Sequence, residues 1–428
     1  MSFQTGLSGL NASAKNLDVI GNNIANSNTV GAKSSRAEFA AVVASAIGPS
    51  GGGGAAGGGI GVEVSTVSQQ FSQGTINITG NNLDCAINGG GFFELTLNDG
   101  SAAYTRDGQF KLDSKGNLIT NSGASVMGFL PTDTTGSSYS ATPSALVVPT
   151  GAPIAAKITS TITAQFNLDA RAPIAASASP PTPYSTYGTT MNAFDAQGVT
   201  VPVKLYFVKT AVNEWNIWDG DPAATTPASN NLGSVLFDAS GNMTTTPPSV
   251  TSTVPPAAGA PVNSFGYSLT PPATLANPTP TAISVTLDVS KATQYGTSFA
   301  ISDLTQDGYT AGTLTGVSIS EQGIITTRYS NGQSQATGKL ALADFRNVQG
   351  LKPVGQGNWV ESTTSGQPIH GAPAQGNFGS INSGSLEASN VDLTAELVAM
   401  MTAQRDYQAN AQTIKTQDTV LQTLVNLR

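Results

Sequence analysis

Apolar and small residues recur in alternating steps of four and three from the start of the chain: Phe3, Leu7, Leu10, Ala14, Leu17, Gly21 and Ile24. That spacing draws one stripe along a helix, an a/d seam of about three heptads. The far end repeats the design over a longer span, through Leu393, Leu397, Met400, Gln404, Tyr407, Ala411, Ile414, Asp418, Leu421 and Val425. Gln404 and Asp418 interrupt this second stripe; they weaken it and help set its register. Asp392 or Asn390 can cap its start, and neither Pro nor Gly occurs after Gly384. As one helix, 392–428 would span ~55 Å at 1.5 Å per residue.

Between the seams the period changes to two. From about 62 to 147, short alternating runs are punctuated by Asn88-Gly89, Asp99-Gly100, Asp107-Gly108 and Lys115-Gly116, which predicts antiparallel strands joined by tight turns. The same punctuation returns after about 306, at Asp307-Gly308, Gln322-Gly323 and Asn331-Gly332. Of the 24 prolines, all but Pro49, Pro353, Pro368 and Pro373 lie between Pro131 and Pro280. They mark a separate unit of roughly 148–305, with long extended loops at 172–184 and 244–281. Its best strand is Val201–Val208, with Glu214–Trp218 as hairpin partner, and Pro202 suits a strand start or edge. The Gly-rich run 48–61 predicts a flexible linker; it lacks the Gly-Lys-Ser/Thr that would end a phosphate loop. No fixed-period repeat is present.

The fold class expected is therefore multidomain α+β, with terminal coiled-coil helices around nested, mainly antiparallel β-domains. The boundaries expected are 1–28 and 392–428 for the helices, 29–71 for a flexible connector and 72–147 with 306–375 for an inner β-domain. An inserted outer β-domain fills 148–305, and 376–391 is a second connector. A helix as long as the second needs its stripe covered. Either the two ends form a hairpin within one domain, or they pair with each other and with neighbouring subunits and order on assembly.

Composition narrows the function. Charged residues make up 10% of the 428, against roughly 25% in an average soluble protein, and the net charge is −8. No basic patch is available to neutralise phosphates, so nucleic acid is not an expected partner. One Cys and one His exclude an internal disulfide and a Cys/His zinc site. The N-terminus has no basic n-region or unbroken apolar h-region. The longest mostly apolar run, 39–48, is about half the ~20 residues of a membrane helix. Low charge with Thr/Ser/Gly/Ala-rich strands suits a secreted surface protein, exported by a route that reads an uncleaved N-terminal segment.

Catalytic signals are absent. No G-x-S-x-G or H-E-x-x-H occurs. Cys85 sits in an apolar strand-like setting that predicts a buried inert thiol, and His370 reads as a loop histidine. Asp219-Gly-Asp221 supplies too few oxygens for a calcium loop. Asn77-Ile-Thr79 and Asn242-Met-Thr244 match a glycosylation pattern common by chance. No cofactor is expected, and no metal.

Three segments carry a resemblance. Asn16-Leu-Asp-Val-Ile-Gly-Asn-Asn-Ile-Ala-Asn-Ser-Asn-Thr-Val-Gly-Ala-Lys33 resembles the N-terminal motif of bacterial flagellar rod and hook proteins, departing slightly at Val30-Gly-Ala-Lys33, where an aromatic usually precedes the lysine. Phe71-Ser-Gln-Gly-Thr75, Ala86–Phe93 and Tyr104-Thr-Arg-Asp-Gly-Gln-Phe110 are similar to the family's β-domain signature. Gly384-Ser-Leu-Glu-Ala-Ser-Asn-Val-Asp-Leu393 and Gln404–Lys415 match its C-terminal segment. The likeness covers about 1–130 and 306–428. Rod members are shorter and lack a large inserted domain, which points to the hook branch.

The resemblance implies a non-enzymatic subunit of an extracellular, curved tubular polymer that transmits torque as a universal joint. It implies as partners further copies of the chain, the distal rod, hook cap and hook–filament junction proteins, and the flagellar type III export apparatus. Assembly residues are then Phe3, Leu7, Leu10, Leu17, Ile24, Leu393, Leu397, Met400, Tyr407, Ile414, Leu421 and Val425. Phe39 and Val43 fit an aromatic-xxx-apolar pattern similar to export-gate recognition segments, or simply pack as an amphipathic strand. The rival readings are a distal rod protein and, from another class, a secreted carbohydrate-active enzyme or adhesin. The latter needs a two-carboxylate cleft or an aromatic glycan platform, and the sequence predicts neither.

Overall fold

The computed structural model describes residues 3–43, 59–133, 136–151, 153–175, 187–222, 230–244, 264–269 and 282–426. One helix opens the chain, α1 (Phe3–Ala25), and one closes it, α2 (Leu393–Asn426); strands fill the interval. The chain divides into two compact units. The first comprises 1–151, 315–328 and 334–428, and the second comprises 152–314 with 329–333. The second unit thus reaches past the expected boundary near 305 and takes a turn from the expected inner β-domain.

In the first unit, the predicted turns join short strands into one large sheet. Its central path runs Ser334–Leu340, Ser125–Phe129, Phe92–Thr96, Ala102–Thr105, Asn358–Val360 and Lys352–Gly355. Each neighbouring pair on that path is antiparallel. On one side the rings of Phe92, Tyr104, Phe345 and Trp359 form a core, with Phe71 edge-on to Phe92 and to Trp359, both at 5.6 Å. Such edge contacts add ~0.5–1.5 kcal/mol each beyond burial. His370 is not in a loop: Ile369–Gly371 is a strand paired with Leu342–Asp344.

The flexible connector expected over 29–71 is corrected at both ends. Ser35–Val43 and Gly59–Gln69 pair as a long antiparallel hairpin, with Phe39 opposite Val64 and Val43 opposite Gly59. The apolar run Phe39–Val43 and the spaced Ile60, Val62, Val64 and Val67 supply the strand signal that the glycines between them obscured. The run 44–58 lies outside the described residues, as do most of the expected Pro-rich loops.

The second unit packs two sheets. A four-stranded antiparallel meander runs Tyr187–Phe194, Thr200–Ala211, Glu214–Asp219 and Asn230–Leu236. Pro202 pairs with Asn192 on one side only, because the pairing on the other side begins at Leu205; the missing N–H costs no ladder bond there. In the second sheet, Thr161–Asp169 alternates strictly, burying Ile162, Ala164, Phe166 and Leu168. This strand runs parallel to Ile283–Asp288 and to Thr293–Tyr295, exceptions to the expected antiparallel pattern. The inner faces meet around Phe207, Trp215 and Phe265, and the Trp215 indole donates to Gln294 Oε1 at 3.0 Å.

At the end of its strand, Asp219 is pushed up to about 6 by burial. A carboxyl raised above its unfolded value stabilises the fold only while protonated, so its contribution is present below about pH 4 and lost as pH rises through 6. Asp219→Asn should therefore resist urea better than the parent at pH 7.5, by about 1–2 kcal/mol. The difference should vanish below pH 4 when unfolding of the second unit is followed by Trp fluorescence.

Candidate functional site

The helices α1 and α2 lie antiparallel. Ile414 Cγ1 is 3.1 Å from where a β-carbon on Gly6 would stand, and Asn410 Oδ1 is 2.9 Å from that position on Gly9. Asn410 Nδ2 also donates to Ser13 Oγ at 3.3 Å. Ten residues further along α1, Asn23 Nδ2 donates to Glu396 Oε1 at 2.9 Å and to Ser35 O at 2.8 Å, while Ser35 N donates back to Asn23 Oδ1. Glycine notches and amide pairs hold this pairing. The start of α2 is capped by Asp392, whose Oδ1 accepts from Thr394 N and Ala395 N; Asn390 instead accepts from Ser34 N and donates to Gln70 O.

The face that α2 turns to α1 is offset from the predicted stripe. Glu396, Ala403, Asn410 and Ile414 lie on it, and Ala403 alone among the described side chains of α2 is buried. Gln404 and Asp418 are exposed, and Asp418 accepts from Gln422. They do not interrupt the seam within the chain because they are not on it. Leu393, Leu397, Tyr407 and Leu421 are exposed, together with Val398, Met401 and Val420. Met400 and Ile414 are half-buried. On α1, Leu7 is exposed and Leu10, Leu17 and Ile24 are half-buried. Phe3 and Val425 fall in the helices, but their side chains lie outside the description, as does that of Val43. Phe39 is 43% exposed on its strand.

Sequence reasoning missed the polar centre of the first unit. Glu387 is fully buried between two cations. Lys33 Nζ lies 2.6 Å from its Oε1, and Arg106 Nη1 lies 3.1 Å from its Oε2. Gly74 N also donates to Oε1 at 2.9 Å, Lys33 donates to Ser72 O at 2.8 Å, and Arg106 Nη2 donates to Gly89 O at 3.0 Å. The Arg106 guanidinium lies 5.2 Å over the Phe92 ring. Gly31, at φ +69°, passes so close to Arg106 that a β-carbon would fall 2.7 Å from its carbonyl carbon, and Gly31 N donates to Glu387 O. Only glycine meets both demands. Burial pushes the Lys33 amine below the usual lysine range, with Glu387 opposing the shift. The signal was in view: Lys33, Gly74, Arg106 and Glu387 stand in separate family-like segments, but nothing in one dimension says they meet.

The candidates for chemistry are spoken for. Cys85 is fully buried, its thiol pushed up to about 12 by burial. His370 Nδ1 lies 2.9 Å from Glu94 Oε2, and burial raises the Glu94 carboxyl, with the His370 pair opposing. Among the described residues no group of three or more His, Cys, Asp or Glu could hold a metal ion. No described helix is long and apolar enough to cross a membrane.

Comparison with known proteins decides the family. The chain is similar over its whole length to the flagellar hook protein FlgE of Salmonella typhimurium, 39% identical over 436 residues and covering all of that protein. The chain belongs to the flagellar hook protein family. FlgE of Escherichia coli K12 is 38% identical with full coverage of both chains, and that of Rhizobium meliloti is 33% identical across all of this chain and 98% of its own. Residues 3–33 match the flagella basal body rod protein family, and 86–167 match the flagellar hook protein FlgE/F/G D1 domain. Residues 167–309 match the flagellar basal body protein FlaE D2 domain, and 382–427 the flagellar basal body rod FlgEFG C-terminal family. The crystal structure of Helicobacter pylori flagellar hook protein FlgE2 shares the fold at TM-score 0.52 and 14% identity, covering 73% of this chain and all of that one. The hook family is structural, not enzymatic, so the chain is a structural subunit of the flagellum.

Because Glu387 balances two buried cations, truncating it should cost more than removing the whole cluster. Glu387→Ala should lower the urea stability of the first unit by about 3–5 kcal/mol. A triple replacement, Lys33→Met, Arg106→Met and Glu387→Leu, should recover most of that loss, as read from the same unfolding curves.

Proposed function

We propose that the subunit polymerises through the apolar faces of its terminal helices into the curved tube of the hook, which acts as a universal joint. The observation that carries this reading is the row Leu393, Leu397, Val398, Met401, Tyr407, Val420 and Leu421 on α2, exposed although α1 already covers one side. A lone soluble helix rarely leaves so much aliphatic surface in water unless a partner covers it. Helical growth uses heterologous contacts that repeat without closing. In this reading the terminal helices form the inner layer of the tube and line its channel, and the β-units form outer layers. Low charge suits outer units that slide past one another, since few ion pairs lock a single register. The distal rod, hook cap and hook–filament junction proteins are the partners at the ends of the tube.

Export through the flagellar type III apparatus, without a cleaved signal, completes the proposal. Phe39 and Val43 are the candidate recognition residues. That recognition acts on the extended chain, before Ser35–Val43 pairs into its hairpin.

Negative stain after raising protein concentration and salt tests the assembly. The unsubstituted chain should give curved tubes. Leu397→Asp combined with Val398→Asp should give none while unfolding within about 0.5 kcal/mol of the parent, because both positions are exposed. Normal tubes from the double variant would overturn the role given to the helix face. For the joint itself, cysteine cross-links between neighbouring copies within 148–305 should straighten or stiffen the tubes; unchanged curvature counts against sliding.

A further inference from the structure

A groove of about 610 Å³ opens between α1, α2 and the hairpin, lined by Thr5, Gly9, Ala12, Phe39, Val62 and Ala409 among others. Its helical walls carry the small residues Gly9, Ala12 and Ala409 with the polar Asn16, Asp406 and Asn410 at their side, and Phe39, 43% exposed, is its one large apolar side chain. Nothing within the described residues fills it.

The second observation is that α2 outruns α1. The facing pairs Gly6 with Ile414, Gly9 with Asn410 and Asn23 with Glu396 place Phe3 opposite about position 417. Residues 418–426 therefore continue for ~13 Å beyond the first described residue of α1. That overhang carries Val420 and Leu421, 48% and 49% exposed. It cannot fill the groove of its own chain, because a straight helix keeps Leu421 ~18 Å along the axis from Ala409.

We propose that the 418–426 overhang of one copy seats Val420 and Leu421 in the Phe39 groove of a second copy. A groove that no described residue fills and a helix end that no described residue covers, too far apart to meet internally, are the two halves of a heterologous contact. Each junction leaves a free groove on one copy and a free tail on the other, so the contact propagates. It rests on the assembly reading above and names one contact within it. Phe39 then has a task in the folded subunit, separate from any part in export.

The test uses the full chain with Cys85 left in place, since that thiol is buried and inert. Tubes grown from an equal mixture of F39C and L421C chains are treated with a short bis-maleimide. Covalent dimers should form at a yield about ten-fold above that from tubes of either variant alone, because seating raises the effective concentration of the two thiols. Tubes that form without this excess would overturn the tail-in-groove contact and leave the assembly reading standing. An unsubstituted chain that never forms tubes would overturn both. If the cysteine variants alone fail to assemble, p-benzoylphenylalanine at position 39 replaces them. On irradiation of those tubes it should attach to the tryptic peptide 416–428, and attachment elsewhere would overturn the proposal.

Discussion

One buried carboxylate governs the order of the first unit. Desolvating Glu387 alone would be costly, and it is tolerable only because Lys33 and Arg106 arrive with their charges and Gly74 with an amide. These partners come from chain segments roughly 280–350 residues away in sequence. The cluster can form only when the exit of α1, the β-domain turn at Arg106 and the approach to α2 are all in place. Burial is what lowers Lys33, with Glu387 opposing the shift and Arg106 adding the smallest push. Such a site contributes little to net stability against an apolar alternative. What it contributes is uniqueness, since any misplaced segment strands a charge in the core.

The helix pair obeys the same economy of specificity over raw burial. A leucine seam between α1 and α2 would have been more stable and less particular. Instead Gly6 and Gly9 let Ile414 and Asn410 approach closely, and Asn23 reads Glu396. The leucines are thereby released to the outer face. Intramolecular register is fixed by small and polar groups, and aliphatic surface is reserved for other contacts.

Much of this was legible in one dimension, for identifiable reasons. Helix position followed from the 3.5-residue period, and strand pairs such as Thr200–Ala211 with Glu214–Asp219 followed from alternation around a tight turn. Proline concentrates between 131 and 280, a span that overlaps most of the second compact unit's 152–314. Three things escaped. The hairpin at 35–69 was hidden by a glycine run, whose composition spoke louder than the flanking strands. The face of α2 that meets α1 was only partly legible, because Ile414 lies on the apolar stripe but Ala403 and Asn410, which complete the contact, do not. The Glu387 cluster was hidden because a lone acid beside Ser, Leu and Ala has no local signature, and its partners lie hundreds of residues away.

The glycines that admit α2 also weaken α1. Gly6 and Gly9 each cost a helix about 0.5–1 kcal/mol relative to alanine, and 23 residues give little margin over the length at which isolated helices become stable. Order at the front of the chain is therefore conditional on the back. The helix gains its order by docking on α2, through contacts such as Asn23 with Glu396, 373 residues apart, across a loop whose closure entropy grows only with the logarithm of its length.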